Sequence, residues 1–228
     1  MTPEGVHTLT FEFEFGGREL TVHPAAVETD HGVVLLDVGL PGATDQLGDA
    51  LAEAGLSLAD VSMVLLTHHD GDHAAGLTEL EGETPLIVAT HEDEAPYVDG
   101  RRHPVKTDSD DERYPPATVD LELTGGETFH TAAGPMWVVE TPGHSPGHVS
   151  LYFPDHRFLV AGDAVTNDNE GPDAFGGPKP HFTPEMDVAV ESVGRLAELD
   201  VETTHCYHGG TADADTDRIA TIYDELRT

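Results

Sequence analysis

Four candidate metal ligands, His68, Asp70, Asp72 and His73, fall within six residues, in the segment Leu66-Thr67-His68-His69-Asp70-Gly71-Asp72-His73. The segment follows an apolar run that reads as a buried strand and precedes a short helix, so the donors sit at the end of a rigid element. His68 and Asp70 are two residues apart and project to the same side of an extended chain. Asp72 and His73 are adjacent and diverge, which suits a second ion beside the first. Imidazole combined with carboxylate fits zinc, iron or manganese, whereas calcium takes nearly all oxygen. Each residue also has a plainer use. Asp70-Gly71 is a common turn pair, Asp72 could cap the following helix, and any one of 15 histidines is more often surface or core than ligand.

Three further segments carry the same signature. They are Thr141-Pro142-Gly143-His144-Ser145-Pro146-Gly147-His148, Phe158-Leu159-Val160-Ala161-Gly162-Asp163, and His205-Cys206-Tyr207-His208-Gly209-Gly210. In each, a His or Asp follows an apolar stretch and is flanked by glycine, which lets the backbone turn and approach closely. The ordered set Thr67-His-x-Asp-x-Asp-His73, Pro142-Gly-His144, Gly162-Asp163 and His208-Gly209 resembles the metallo-β-lactamase superfamily over about residues 20–210. The resemblance implies an α/β fold, a four-layer αββα sandwich with the site along one edge.

It further implies that His68, Asp70 and His144 hold one metal, that Asp72, His73 and His208 hold another, and that Asp163 bridges the two. Asp37, in Leu36-Asp37-Val38-Gly39, matches the family's early aspartate, which stands behind the ligands. His69, His148 and His205 lie off the motif: His148 reads as a loop or strand-start residue, His205 as a strand residue, and Cys206 as a small buried hydrophobe. Asp70 departs from the family's usual histidine, which leaves metal identity open between zinc and the harder iron or manganese. The implied chemistry is hydrolysis of a lactone, ester, thioester or β-lactam carbonyl by a hydroxide bridging two divalent metals, with Asp72 orienting it and relaying its proton. The rivals are an iron-dependent oxidoreductase of the same fold and a phosphodiesterase. Few basic residues lie near the motifs, which favours a small neutral carbonyl substrate.

Composition narrows the partners. The 228 residues carry 44 acidic and 10 basic side chains, a formal net charge of -34, with two lysines, Lys106 and Lys179. Such a surface repels nucleic acid and anionic membranes. Its even spread resembles proteins adapted to concentrated salt. Cys206 stands alone, so no internal disulfide forms. No signal peptide or membrane-length run is visible, which gives a cytoplasmic expectation. Length and pattern suggest one domain over residues 1–228.

The elements that must position the donors follow from periodicity. Strands are expected at 6–15, 18–28 (after a Gly16-Gly17 turn), 33–36, 61–66, 86–89, 119–123, 127–131, 136–140, 149–153, 157–161 and 201–206. Helices are expected at 44–54, 74–80 with Asp72 near its cap, 184–199 and 212–226. Residues 91–118 read as a polar, mobile excursion, and 171–180 as loop. Residues 91–118 and 164–182 are expected to form the rim over the metals.

Overall fold

Unbroken apolar runs become the central strands of two six-stranded sheets, in a computed structural model that describes residues 1–15, 17–107, 113–169 and 173–228. The first half of the chain supplies β1 (Val6–Thr8), β2 (Phe11–Phe15), β3 (Arg18–Val22), β4 (Ala25–Thr29), β5 (Gly32–Leu36), β6 (Val61–Leu65), β7 (Ile87–His91) and β8 (Leu121–Leu123). Strands β1-β4-β5-β6-β7-β8 form the first sheet, parallel from β5 to β8, while β2 and β3 pair as a separate hairpin. The second sheet is ordered β14-β13-β12-β11-β10-β9. Its strands are β9 (Thr128–Thr131), β10 (Gly134–Glu140), β11 (Val149–Phe153), β12 (Phe158–Val160), β13 (Thr203–Cys206) and β14 (Gly210–Ala212). Only β12 and β13 pair in parallel there.

Alternation along the strands builds three apolar layers. Val34 and Leu36 of β5 and Leu65 of β6 face the second sheet, where they join Val138, Leu151, Phe153 and Phe158. Val33, Leu35 and Val64 point the other way, against Leu47 and Leu51 of α1 (Ala43–Glu53) and Leu77 and Leu80 of α3 (Leu77–Glu83). On the far side, Tyr152 and Leu159 pack on Val193 and Leu196 of α5 (Met186–Leu196) and on Ile219 and Ile222 of α6 (Thr216–Leu226). Strands covered on both faces read as near-continuous apolar runs, as in β5 and, apart from Ser62, β6. The order helix, sheet, sheet, helix is the αββα sandwich. Among the described residues no helix is long and apolar enough to cross a membrane.

Several expected elements change. The expected strand 6–15 divides into β1 and β2, and 18–28 into β3 and β4, with His23-Pro24 between the latter pair. Proline has no N–H to give a ladder, and the Pro24 carbonyl is taken by Leu9 N–H. The Gly16-Gly17 turn rests partly on Gly16, outside the described residues. The helix expected at 74–80 is two: α2 (Gly71–Ala74), capped at Asp70 and not Asp72, and then α3. Residues 91–118, where described, hold more than a polar excursion. α4 (Ala95–Val98) buries Ala95, Tyr97 and Val98; residues 108–112 lie outside the description, as do residues 171 and 172 of the expected loop. β14 was not foreseen, because three residues are too few to show a period.

Candidate metal centre

The residues expected at the site arrive at one edge because the strands that precede them run in matching directions. Asp37 follows β5, His68 follows β6, His144 follows β10, Asp163 follows β12 and His208 follows β13. In the tight turn after β6, Asp70 takes the N-cap place of α2 with extended backbone, yet its carboxylate makes no cap hydrogen bond. The side chain is left free to face the site.

Asp37 fixes the orientation of two imidazoles. Its φ of 63° is left-handed, a conformation that short polar Asp tolerates. One carboxylate oxygen accepts from Thr67 N–H at 2.7 Å, the other from Thr67 Oγ1 at 2.8 Å and from His73 Nδ1 at 2.9 Å. Having donated its proton, Thr67 Oγ1 accepts from His68 Nδ1 at 3.0 Å. Both rings therefore hold their proton on Nδ1 and turn Nε2 toward the centre. Tyr207 stacks on His73 with ring centres 3.6 Å apart, and its hydroxyl donates to the Asp72 carbonyl.

Donor spacings match the edges of a metal polyhedron. His68 Nε2 lies 3.3 Å from Asp70 Oδ2, and His144 Nε2 lies 3.2 Å from the same oxygen. His208 Nε2 lies 3.3 Å from Asp72 Oδ2. Asp163 sits between the two sets: Oδ1 is 3.5 Å from His73 Nε2, and Oδ2 is 3.3 Å from His144 Nε2 and 3.4 Å from His208 Nε2. Ligands about 2.1 Å from a tetrahedral ion stand about 3.4 Å from each other. His68 Nε2, His73 Nε2 and Asp163 Oδ1 are buried without a hydrogen-bond partner. Leaving such groups unpaired costs about 1–3 kcal/mol each, and the three converge where a bound cation would satisfy them together. The residues fit divalent metal ions.

Electrostatics agree. Burial pulls His73 down, but the carboxylates of Asp37, Asp163 and Asp72 outweigh it and raise it well above the ordinary imidazole value. His208 is likewise drawn down by burial and carried up to about 10 by Asp163 and Asp72. Burial would raise Asp163, yet His208, His73 and His144 hold it well below the usual carboxylate range. His68, lowered by burial and by His73, stays neutral, the form that binds metal.

Four features at the site were missed. Lys106 Nζ reaches Asp70 Oδ2 at 2.5 Å and His144 Nε2 at 2.6 Å, so a basic residue does enter the centre, from a segment read as excursion. Its rarity in so acidic a chain was the available signal. Glu94 is wholly buried against His69, Ser145 and Gly147. His69, off the motif, accepts Val105 N–H on Nε2 at 3.2 Å and donates from Nδ1 to Glu94. His148 stands immediately before β11 (Val149–Phe153), and its Nε2 accepts the Asp163 N–H at 3.0 Å while its Nδ1 bonds Thr141 Oγ1 at 2.8 Å. Gly162 (φ 55°) permits that approach, since an added Cβ would stand 2.7 Å from His148 Nε2. His205 lies inside β13 on the His23 carbonyl, and Cys206 is buried beside it.

Comparison with known proteins gives the same picture. The sequence pattern of the metallo-beta-lactamase superfamily matches residues 18–208. A probable metallo-hydrolase of Bacillus subtilis (strain 168), YflN, is 30% identical over 227 residues, covering 87% of this chain and 86% of that protein. A hydroxyacylglutathione hydrolase of Cereibacter sphaeroides is 36% identical over 116 residues, 51% of this chain and 37% of that enzyme. Among solved structures, a metallo-beta-lactamase family protein of Thermus thermophilus superposes with a TM-score of 0.73 at 25% identity, over 98% of this chain and 78% of that one. A metallo-beta-lactamase of Pontibacter korlensis shares the fold, with a TM-score of 0.76 at 19% identity over 100% and 97% of the two chains. A match that runs from β3 to His208 takes in every strand end that faces the centre, and the chain accordingly belongs to the metallo-beta-lactamase superfamily, as a metal-dependent hydrolase.

Proposed function

We propose that residues 1–228 work as one domain that holds two divalent metal ions, zinc foremost, and hydrolyses a small carbonyl substrate: a lactone, ester, thioester or β-lactam. His68, Asp70 and His144 would hold one ion; Asp72, His73 and His208 would hold the other, with Asp163 serving both. The observation that carries this reading is the convergence of seven donors at polyhedron-edge distances with three buried donor atoms unpaired. Bound there, the metals would supply an acidified water and polarise the carbonyl.

The remaining steps fall to the chain itself. Asp37 and Thr67 keep the His73 and His68 rings in the tautomer that presents Nε2. Asp72, the more open carboxylate of its set, holds the proton given up by the attacking water and passes it to the leaving group. Lys106 offers an ammonium beside Asp70, a favourable place for negative charge on the substrate or developing in the reaction. This revises the preference for a neutral substrate, which rested on a shortage of basic groups near the motifs. The thioester class draws support from the hydroxyacylglutathione hydrolase relative, of which the chain spans little more than a third.

Elemental analysis of protein purified without chelator, joined to a screen of lactone, thioester, β-lactam and phosphodiester substrates, tests the reading. The expected result is close to two transition metals per chain and turnover confined to carbonyl substrates. A folded, metal-free protein with full activity overturns it, and turnover of the phosphodiester alone moves the substrate class.

A further inference from the structure

Three acidic side chains are buried among the described residues: Asp37, Asp163 and Glu94. Asp37 orients His73, and Asp163 stands between the two ligand sets. Glu94 belongs to no motif, yet it is the most deeply buried of the three, at 0% exposure. An ionised carboxylate taken out of water is costly unless every lone pair is met, so a chain otherwise covered in solvated acids has a reason to keep this one inside.

Its four hydrogen bonds show what it joins. One oxygen accepts from the His69 backbone N–H at 2.9 Å and from His69 Nδ1. The other accepts from Ser145 Oγ at 2.7 Å and from Gly147 N–H at 2.6 Å. His69 lies between His68 and Asp70, and Ser145 directly follows His144. A single carboxylate thus ties together the two segments that carry the first ligand set. His69 extends the tie, stacking on Tyr97 at 4.3 Å and accepting the N–H of Val105, the neighbour of Lys106. Two partners of Asp70, His144 and Lys106, therefore depend on the same buried pair.

We propose that Glu94 is the positioning residue of the first ligand set, holding the 68–70 and 144–147 segments at binding distance, and that the second set is independent of it. The proposal rests on reading His68, Asp70 and His144 as metal ligands. Glu94→Gln exposes the dependence through proton arrangement alone, at nearly unchanged volume. Val105 N–H commits His69 Nε2 to accept, so Nδ1 must donate. A glutamine NH₂ facing His69 meets two donors. Turned round, it meets Gly147 N–H, which can only donate. Neither orientation of the amide satisfies the pocket.

The test is zinc affinity, read by competition with a chromophoric chelator, one set at a time. His208→Ala leaves the first set to be measured and His144→Ala leaves the second. Glu94→Gln is expected to weaken zinc about 10- to 100-fold in the His208→Ala background, and less than about twofold in the His144→Ala background. Cobalt in place of zinc should show the same selectivity in its visible bands. Ser145→Ala removes one of the four bonds without disturbing charge; it should show the same preference at several-fold, and keeps the idea open to refutation if Glu94→Gln does not fold. Equal weakening in both backgrounds, or none in either, overturns the role of Glu94. Failure of the unsubstituted protein to bind two zinc ions, or of each background to lose one, overturns the ligand reading beneath it.

Discussion

The two ligand sets are supported in different ways. His73, on α2, is held from behind by Asp37 at the end of β5, and His68 by Thr67, just past the end of β6. His208 and its neighbour Tyr207 leave β13 directly. The second set thus joins His208, at a strand end, to Asp72 and His73 on α2, which Asp37 after β5 and Tyr207 after β13 hold in place. The first set shares His68 with that frame, but Asp70 and His144 are placed by contacts from residues 94–106, a four-residue helix and the chain beyond it. Sheet ends move little relative to one another, whereas a short helix and loop can change without disturbing the core. The second set is therefore tied to the sheet ends through Asp37 and Tyr207, and the first to a segment that can vary within the fold.

Asp163 lies against both sets, so its loss breaks the comparison altogether. Asp163→Ala is expected to lower both affinities and reduce hydrolysis by about a thousandfold or more, with the circular dichroism spectrum unchanged because no apolar layer contains it. A variant that keeps both metals would remove Asp163 from its bridging place.

Asp37→Asn is the counterpart on the other side. Three donors converge on two carboxylate oxygens, and an amide loses one acceptor. Zinc at the second set, isolated by His144→Ala, should weaken about 10- to 100-fold. The first set reaches Asp37 only through Thr67 and His68, so its loss should be smaller. Equal losses would mean that the sheet edge supports the two sets as one.

The same contrast explains what could be read in advance. Strands whose apolar residues are covered on both faces, such as Val33-Val34-Leu35-Leu36, announce themselves, and each donor beside a glycine at such a strand end could be placed from order alone. Glu94 and Lys106 could not. Their partners are distant in sequence, 25 residues from Glu94 to His69, 53 to Gly147, and 38 from Lys106 to His144, and only the folded sandwich closes those distances. Pro24 was a readable break that a loose alternation of apolar residues concealed. A helix start at Asp70 was concealed by chemistry: Asp72 looked like the cap, while both carboxylates turn toward the site.

Salt acts on the surface more than on either set. With a net charge of -34, self-repulsion weakens as the screening length falls from about 10 Å at 0.1 M to about 3 Å at 1 M. Thermal unfolding in rising KCl should move upward by several degrees, each kcal/mol being worth about 2–4 °C in a chain of this size. Zinc affinity of the buried sets should change in parallel with each other. A melting temperature flat across the range would point instead to a basic partner for the acidic surface, and unequal salt dependence of the sets would show that the Asp70–Lys106 pair is screened.

Asp70→His gives the finest resolution of the difference between the sets. A neutral imidazole in place of a carboxylate makes the first set more like a zinc site and one charge more positive. It also removes the partner that Lys106 holds at 2.5 Å, leaving that ammonium beside His144 and the introduced ring. Both changes raise positive potential where water is to be acidified, so the rising limb of the pH–rate profile should shift to lower pH, on the order of one unit. Softer donors favour zinc over iron or manganese, so the zinc share of metal bound from a mixed supply should increase. Lys106→Gln combined with Asp70→His separates the two contributions. If the pH shift survives in the double variant, it comes from the ligand exchange. If it is lost, the freed ammonium carries it. Unchanged metal content and an unchanged profile in Asp70→His would mean that Asp70 only shapes the turn into α2, and the first set would then be His68 and His144 with Asp163.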